Sequence, residues 1–113
     1  MSYTIKYPYG AATVEALAAT GTLAVTISNQ VTILDGVTTP SSGNRTVNLT
    51  ISDEVIKGAV IVAKIKTAGT QTCTWGTGFT APTMTGVAGK TIVVQFMYDG
   101  TAFIQTGAEI QLD

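Results

Sequence analysis

The sequence predicts an all-β fold: an antiparallel β-sandwich, and within that class a jelly roll, with at most a short N-terminal helix. Val, Ile and Thr supply 42 of the 113 residues, against five Leu. Side chains branched at Cβ favour the pleated surface of a sheet and lose rotamer freedom in a helix. The 12 Gly residues supply turns, and apolar residues repeatedly alternate with polar ones, which is the period of a half-buried strand.

The length of the chain fits one domain. We expect an N-terminal arm over residues 1–21 and a β-sandwich over residues 22–113. In the arm, residues 11–20 are rich in Ala and are followed by Gly21, which predicts a helix of one or two turns. A helix that short is marginal in water, so it would form only if it were packed against the domain.

Three of the four tyrosines lie near the N-terminus, at Tyr3, Tyr7 and Tyr9. One interpretation is an edge strand whose aromatic rings cover the core. The other is an arm that docks on a neighbouring subunit, because Tyr offers a large contact area with a polar tip and is enriched at interfaces. Both interpretations stay open, and the three residues are candidate interface residues.

Strand periodicity begins after the arm. Apolar residues alternate from Thr22 to Leu34, either in one long strand or in two short strands separated by a turn at Ser28-Asn29. Residues 37–45 contain Thr, Pro, Ser, Gly and Asn, which predicts a loop. Alternation resumes in residues 47–51, which predicts a strand with one face in water.

The C-terminal half carries the clearest turn signal. Residues 59–66 predict a buried strand that forms a hairpin with residues 70–75, and residues 76–90 predict a long structured loop. Asp99-Gly100 lies between two alternating runs, which predicts a β-hairpin with a type I′ turn. We find no repeat of 20–50 residues, which argues against solenoids and propellers.

Charge and composition exclude several classes of function. Six Lys and Arg balance seven Asp and Glu, which argues against a nucleic-acid partner because such binding needs clustered basic residues. The chain has no His and one Cys, so His-based catalysis, His metal sites and internal disulfides are excluded. We therefore expect no enzyme activity, no cofactor and no metal site.

Membrane insertion and secretion are also not expected. No stretch approaches the roughly 18 consecutive apolar residues of a membrane span. The N-terminus lacks the basic and apolar regions of a signal peptide, so we expect synthesis in a cytoplasm. Cys73 then need not be paired, and we expect it to be a small buried hydrophobic residue.

Two further groups of residues are candidates for contacts. Trp75 and Phe79 flank the Gly-rich loop, either as core packing beneath it or as a platform on which a sugar could stack. Lys64 and Lys66 share one face of a predicted strand, but few aromatic residues accompany them, so they form a weak basic patch. They are more consistent with protecting a sheet edge or pairing with an acidic neighbour.

The low charge of the chain points to association. Charged residues are 12% of the sequence, about half the usual fraction of a soluble domain. A free monomer with so few charges is poorly protected against association. We therefore expect a surface that is partly covered by copies of the chain or by a partner.

Several motifs resemble a β-sandwich module of structural proteins from tailed bacteriophages, including small proteins of crAss-like and related phages. The likeness covers about residues 22–106. It rests on a Thr-rich strand that ends in Trp75-Gly76, a Pro-Thr loop, a Gly-Lys step and a final hairpin at Asp99-Gly100. Upstream, Thr32–Gly36 and Asn44–Leu49 share the resemblance.

The resemblance implies a virion structural protein and no enzyme. Among the roles of such modules, one small domain without a coiled coil favours an auxiliary or decoration protein on the outer capsid. Its expected partners are the major capsid protein and copies of itself, in a homotrimer that matches the local threefold positions of an icosahedral shell. The alternative is the receptor- or glycan-binding tip of a head or tail fibre, with Trp75, Phe79 and the loop of residues 76–90 as contact surface.

Overall fold

A computed structural model describes residues 12–113 and shows an all-β chain in two sheets. The described residues contain no helix. The strands are β1 Thr13–Ala16, β2 Gly21–Ile27, β3 Val31–Ser41, β4 Arg45–Ile51, β5 Val60–Thr67, β6 Thr72–Trp75, β7 Phe79–Thr80, β8 Met84–Thr85, β9 Thr91–Tyr98, β10 Phe103–Gln105 and β11 Ile110–Gln111.

The larger sheet has seven strands and the smaller has four. The larger sheet has the order β1-β3-β5-β9-β10-β7, with β11 also paired to β9. The smaller sheet has the order β2-β4-β6-β8. Alternate side chains of both sheets are buried in one hydrophobic core, which makes the arrangement sandwich-like. The core includes Val25, Ile27, Leu34, Val47, Ile61, Ile65, Trp75, Met84, Phe96 and Phe103.

The first half of the chain is wound as a flattened coil. From β1 to β6 the chain changes sheet after every strand. Each strand pairs in parallel with the strand two positions earlier, so β1 pairs with β3, β3 with β5, β2 with β4 and β4 with β6. Most pairings of the later strands are antiparallel: β9 pairs with β5, β10 and β11 pair with β9, and β8 pairs with β6. The exception is β7, which pairs in parallel with β10.

The observed strand directions differ from the expected antiparallel arrangement. Of the nine strand pairings, five are parallel, so a purely antiparallel sandwich is wrong, and the jelly roll is not confirmed. Side chains alternate with period two in either direction, so the sequence pattern cannot distinguish them. Parallel strands need a crossover, and here a strand of the opposite sheet provides it.

The winding has no constant sequence repeat. Gly21, Arg45 and Cys73 occupy equivalent positions in successive turns, yet they are 24 and 28 residues apart. The connections between strands differ in length, so the structural repeat of the coil does not give a fixed period in the sequence. The argument against a solenoid therefore fails for this part of the chain.

The expected helix near the N-terminus is also wrong over the described residues. Residues 13–16 form β1, which pairs with β3, and the backbone N–H of Leu17 donates to Asp35 O at 2.9 Å. Leu17 is 2% exposed. Sheet pairing and burial of Leu17 therefore outweigh the weak helical propensity of a short Ala-rich segment.

Two loop and hairpin predictions need correction. The predicted loop of residues 37–45 is shorter, because β3 continues to Ser41. Residues 59–66 and 70–75 do not form a hairpin, since β5 and β6 lie in different sheets. The turn at Ser28-Asn29 is confirmed, and it separates β2 from β3.

The hairpin at Asp99-Gly100 is confirmed, although its turn is not type I′. Strands β9 and β10 are antiparallel, and Tyr98 and Phe103 are the pair that lies next to the turn. Asp99 Oδ1 accepts hydrogen bonds from the backbone N–H groups of Thr101 and Ala102, at 2.8 and 2.9 Å. These bonds lower the pKa of the Asp99 carboxyl. Only Gly100 has a positive φ here, at 100°, whereas type I′ requires two such residues.

A buried arginine lies where the chain passes from the larger sheet to the smaller one. Arg45, at the start of β4, is 1% exposed. Its Nε donates to Ala18 O at 2.7 Å and its Nη2 donates to Thr39 O at 2.6 Å. The guanidinium lies beside Gly36, whose missing side chain leaves room for it. Burial lowers the pKa of Arg45, but an arginine still stays protonated at neutral pH.

We expect Gly36→Ala to destabilise the fold. A Cβ at residue 36 would lie 2.8 Å from Arg45 Nη1 and 2.9 Å from Ile65 Cδ1, and the two hydrogen bonds hold Arg45 in place. Overpacking of this kind costs about 1–3 kcal/mol of unfolding free energy. Urea unfolding followed by Trp75 fluorescence measures it. The matched control is Gly107→Ala, because a Cβ there meets nothing within 4 Å; equal midpoints for the two variants would contradict the packing described.

Candidate interaction surface

The two sheets present different side chains to solvent. On the smaller sheet, the outward positions of β2 and β4 pair Thr22 with Thr46 and Thr26 with Thr50. The remaining outward residues of this sheet are Ala24, Asn48, Thr72, Thr74 and Thr85. We call this the threonine face. Its hydroxyl groups hydrogen-bond to water, so it suits a surface exposed to solvent.

The larger sheet has an apolar outer surface. Val31 pairs with Val60, Val60 with Met97, and Met97 with Ile104. These residues form one row across four strands, on the side opposite the core. The exposed fractions of Val31, Met97 and Ile104 are 42%, 43% and 37%.

A second row lies beside the first. Val14 pairs with Ile33, and Ile33 pairs with Val62. Val14 is 57% exposed because β1 is at the edge of the sheet. Further along the strands, Val93 pairs with Ile110. We call these nine residues the apolar face: Val14, Val31, Ile33, Val60, Val62, Val93, Met97, Ile104 and Ile110.

Few charges interrupt the apolar face. Asp35 and Lys64 are paired on β3 and β5, and Gln95 lies opposite Val62. The Asp35 carboxylate accepts hydrogen bonds from Thr38 Oγ1 at 2.7 Å and from the backbone N–H of Val37 at 2.9 Å. The bonds from Thr38, followed by that from Val37, lower the pKa of Asp35. Much of its hydrogen-bonding capacity is therefore used by neighbouring residues of β3.

The dimensions of the apolar face are those of a binding surface. Its nine residues come from six strands in five columns, since β10 and β11 both lie beside β9. Columns spaced by about 4.8 Å, with about four residues of rise between the outer rows, give a footprint of roughly 300 Å², polar positions included. Apolar patches of about 300–600 Å² are the largest on a typical monomer and often bind a partner. The face is thus the strongest candidate for a contact surface on the described part of the chain.

Trp75 and Phe79 lie in the core. They are 5% and 9% exposed. With Phe96 they form an aromatic cluster in which ring centroids are 4.8–5.1 Å apart. This agrees with the interpretation of core packing beneath the loop. A sugar platform needs an exposed ring face, which neither residue offers, so their candidacy as contact residues has no support from the geometry.

Tyr3, Tyr7 and Tyr9 lie outside the described residues, so their role as an interface stays a prediction.

Lys64 and Lys66 lie on the outward side of β5, while Ile61, Ala63 and Ile65 face the core. That alternation is as expected.

Arg45 is a buried polar residue that sequence reasoning missed. The sequence did contain a signal for the burial of Arg45, because Arg45 shares the parity of the buried Val47 and Leu49 on β4. Its neighbour across the sheet is Cys73, which is 1% exposed. Burial raises the pKa of the Cys73 thiol to about 12, while the charge of Arg45 acts in the opposite direction. At neutral pH this cysteine is a thiol in the core, as expected.

Comparisons with protein-family models, curated proteins and solved structures find no match. Among residues 12–113, no group of three or more Cys, Asp or Glu side chains is placed to hold a metal ion. The same residues include no helix that could cross a membrane. The assignment of a role therefore rests on the surfaces themselves.

We expect the thiol of Cys73 to be unreactive in the folded protein. A pKa of about 12 makes its thiolate fraction at pH 8 about a thousandfold lower than that of an ordinary exposed cysteine. A colorimetric thiol reagent should detect no thiol in native protein and one after unfolding in guanidinium. Thr22→Cys, on the threonine face, is the positive control and should react at once. Rapid reaction of native Cys73 would contradict its burial.

Proposed function

We propose that this chain is a structural protein of a tailed-bacteriophage virion, an auxiliary or decoration protein that binds the outer capsid and stabilises it. The observation that supports this role best is the apolar face, which residues 12–113 leave uncovered, on a chain in which 12% of residues are charged. An apolar surface of this kind is characteristic of a subunit that functions in an assembly. The motif resemblance over residues 22–106 supplies the virion context.

The size of the apolar face favours many weak contacts. A stable pairwise interface buries about 800 Å² on each partner, and the footprint of roughly 300 Å² is less than half of that. One such contact would be short-lived, but subunits that bind at several points gain affinity from their high effective concentration. Repeated contacts across a shell would stabilise the capsid in this way.

A homotrimer is the assembly that we propose. Trimers match the local threefold positions of an icosahedral shell, so each subunit could contact the major capsid protein in the same way. The apolar face would be shared between subunits, and the threonine face would point to water. The site of action would be the outer surface of the virion.

The second candidate is a receptor- or glycan-binding tip of a head or tail fibre. One observation favours it: the threonine face carries hydroxyl groups in register on neighbouring strands, and hydroxyl groups can hydrogen-bond to sugars. Trp75 and Phe79 would then take no part, because both are buried. The capsid role has the stronger support, since the fibre-tip role leaves the apolar face unexplained.

We expect the purified protein to have a mass of about three times 11.7 kDa by size exclusion with light scattering. It should bind saturably, in a co-sedimentation assay, to capsids of the encoding phage from which it has been removed. Capsids that have regained it should withstand higher temperature before releasing DNA.

A glycan array separates the two candidates. Reproducible glycan binding that is lost in Thr50→Val, without any affinity for capsids, would overturn the decoration role. Met97→Val, on the opposite face, is the matched control for that substitution and should leave glycan binding unchanged. A monomer at high concentration would count against the trimer.

A further inference from the structure

The row Val31-Val60-Met97-Ile104 begins where the N-terminal segment leaves the sheet. In β1, Thr13 pairs with Thr32, so the preceding residue, Ala12, is level with Val31. Ala12 is therefore at one end of the apolar row, at the edge of the larger sheet. The residue that connects the segment to β1 is thus next to the apolar face.

The N-terminal segment has the pattern of a strand with one aromatic side. Tyr3, Ile5, Tyr7 and Tyr9 share one parity. On an extended backbone these four side chains would point the same way. Pro8 lacks a backbone N–H, so the segment is poorly suited to the interior of a sheet but suited to lie across a surface or along an edge.

We propose that residues 1–11 of one copy cover the apolar face of a second copy. This rests on the proposed function, because it requires a self-assembling subunit, and it names the surface through which that assembly forms. The tyrosine rings and Ile5 would lie on the row Val31-Val60-Met97-Ile104. Met97 offers its sulfur to the tyrosine rings, a favourable contact, and the tyrosine hydroxyls would reach water at the rim.

The direction of the chain favours a neighbouring copy. Rows of paired residues run perpendicular to the strands. To cross its own row, the segment would have to turn through about a right angle immediately before β1. If it continues in the direction of β1, it leaves the sheet and reaches toward another subunit. Seven extended residues span about 23 Å, and four strands span about 14 Å, so residues 3–9 are long enough to cross the row.

The contact areas are also consistent with this exchange. A buried Tyr contributes about 150–250 Å², so three contribute about 450–750 Å². On a face of roughly 300 Å² the rings would be only partly buried, so one such contact stays below the roughly 800 Å² per partner of a stable interface. In a closed ring each subunit gives one segment and receives one, which doubles the area that it buries. A segment-to-face contact joins two different surfaces, and such a contact closes into a ring when each subunit passes its segment to the next.

A complementation experiment tests the exchange. One variant lacks residues 2–10 but keeps the apolar face. The other carries Met97→Glu but keeps the segment. Each variant alone should be monomeric by light scattering, at about 11 kDa. An equimolar mixture at high concentration should form a 1:1 complex of twice that mass, which contains one segment-to-face contact and cannot close a ring. Thr50→Glu, on the threonine face, should behave like the unaltered protein. Circular dichroism and Trp75 fluorescence establish that each variant is folded.

A peptide of residues 1–11 provides a second readout. It should bind the variant that lacks residues 2–10, and a peptide with Ser at positions 3, 7 and 9 should not. If the mixture forms no complex and the unaltered protein is monomeric, the exchange is overturned. That combination would indicate that the segment covers the apolar face of its own subunit. An oligomer that persists without residues 2–10 would also overturn it. The proposed function is tested separately, because capsid co-sedimentation is measured on the unaltered protein, with both the segment and the apolar face intact.

Discussion

Burial of alternate side chains between two sheets is the constraint on which the whole fold depends. From β1 to β6 each strand is followed by one in the opposite sheet, so every turn of the coil contributes to both walls of the core. Arg45 strengthens this arrangement from inside, because it binds backbone carbonyls at Ala18 and Thr39. Ala18 lies in the connection between β1 and β2, and Thr39 lies near the end of β3. A guanidinium can hold both segments at once.

The same alternation leaves two outer faces, and their chemistry differs. The threonine face forms hydrogen bonds with water, whereas the apolar face exposes Val, Ile and Met side chains that gain free energy when they leave water. A molecule with one wet side and one apolar side has a defined orientation toward a partner. The charges beside the apolar face are sparse, with Asp35 and Lys64 paired across β3 and β5, and a surface with few charges is poorly protected against association.

Sequence reasoning predicted the strands better than their partners. Alternation located β2, β3 and β4, a continuous apolar run located β5, and Asp99-Gly100 located the last hairpin, because these signals are local. Strand direction and sheet membership depend on distant residues, so the parallel winding was missed. The apolar face was missed for the same reason: Val31, Val60, Met97 and Ile104 come from four separate segments, and only the register brings them into one row.

The winding also affects how the chain reaches its native state. Strand partners are far apart in sequence, with Thr13 beside Thr32 and Val60 beside Met97, and chains dominated by such distant pairing fold in milliseconds to seconds. During that interval apolar strands are exposed to other unfinished chains, which is the usual origin of aggregation. Yield in a cell should therefore depend on synthesis rate and temperature more than on the final stability of the sandwich.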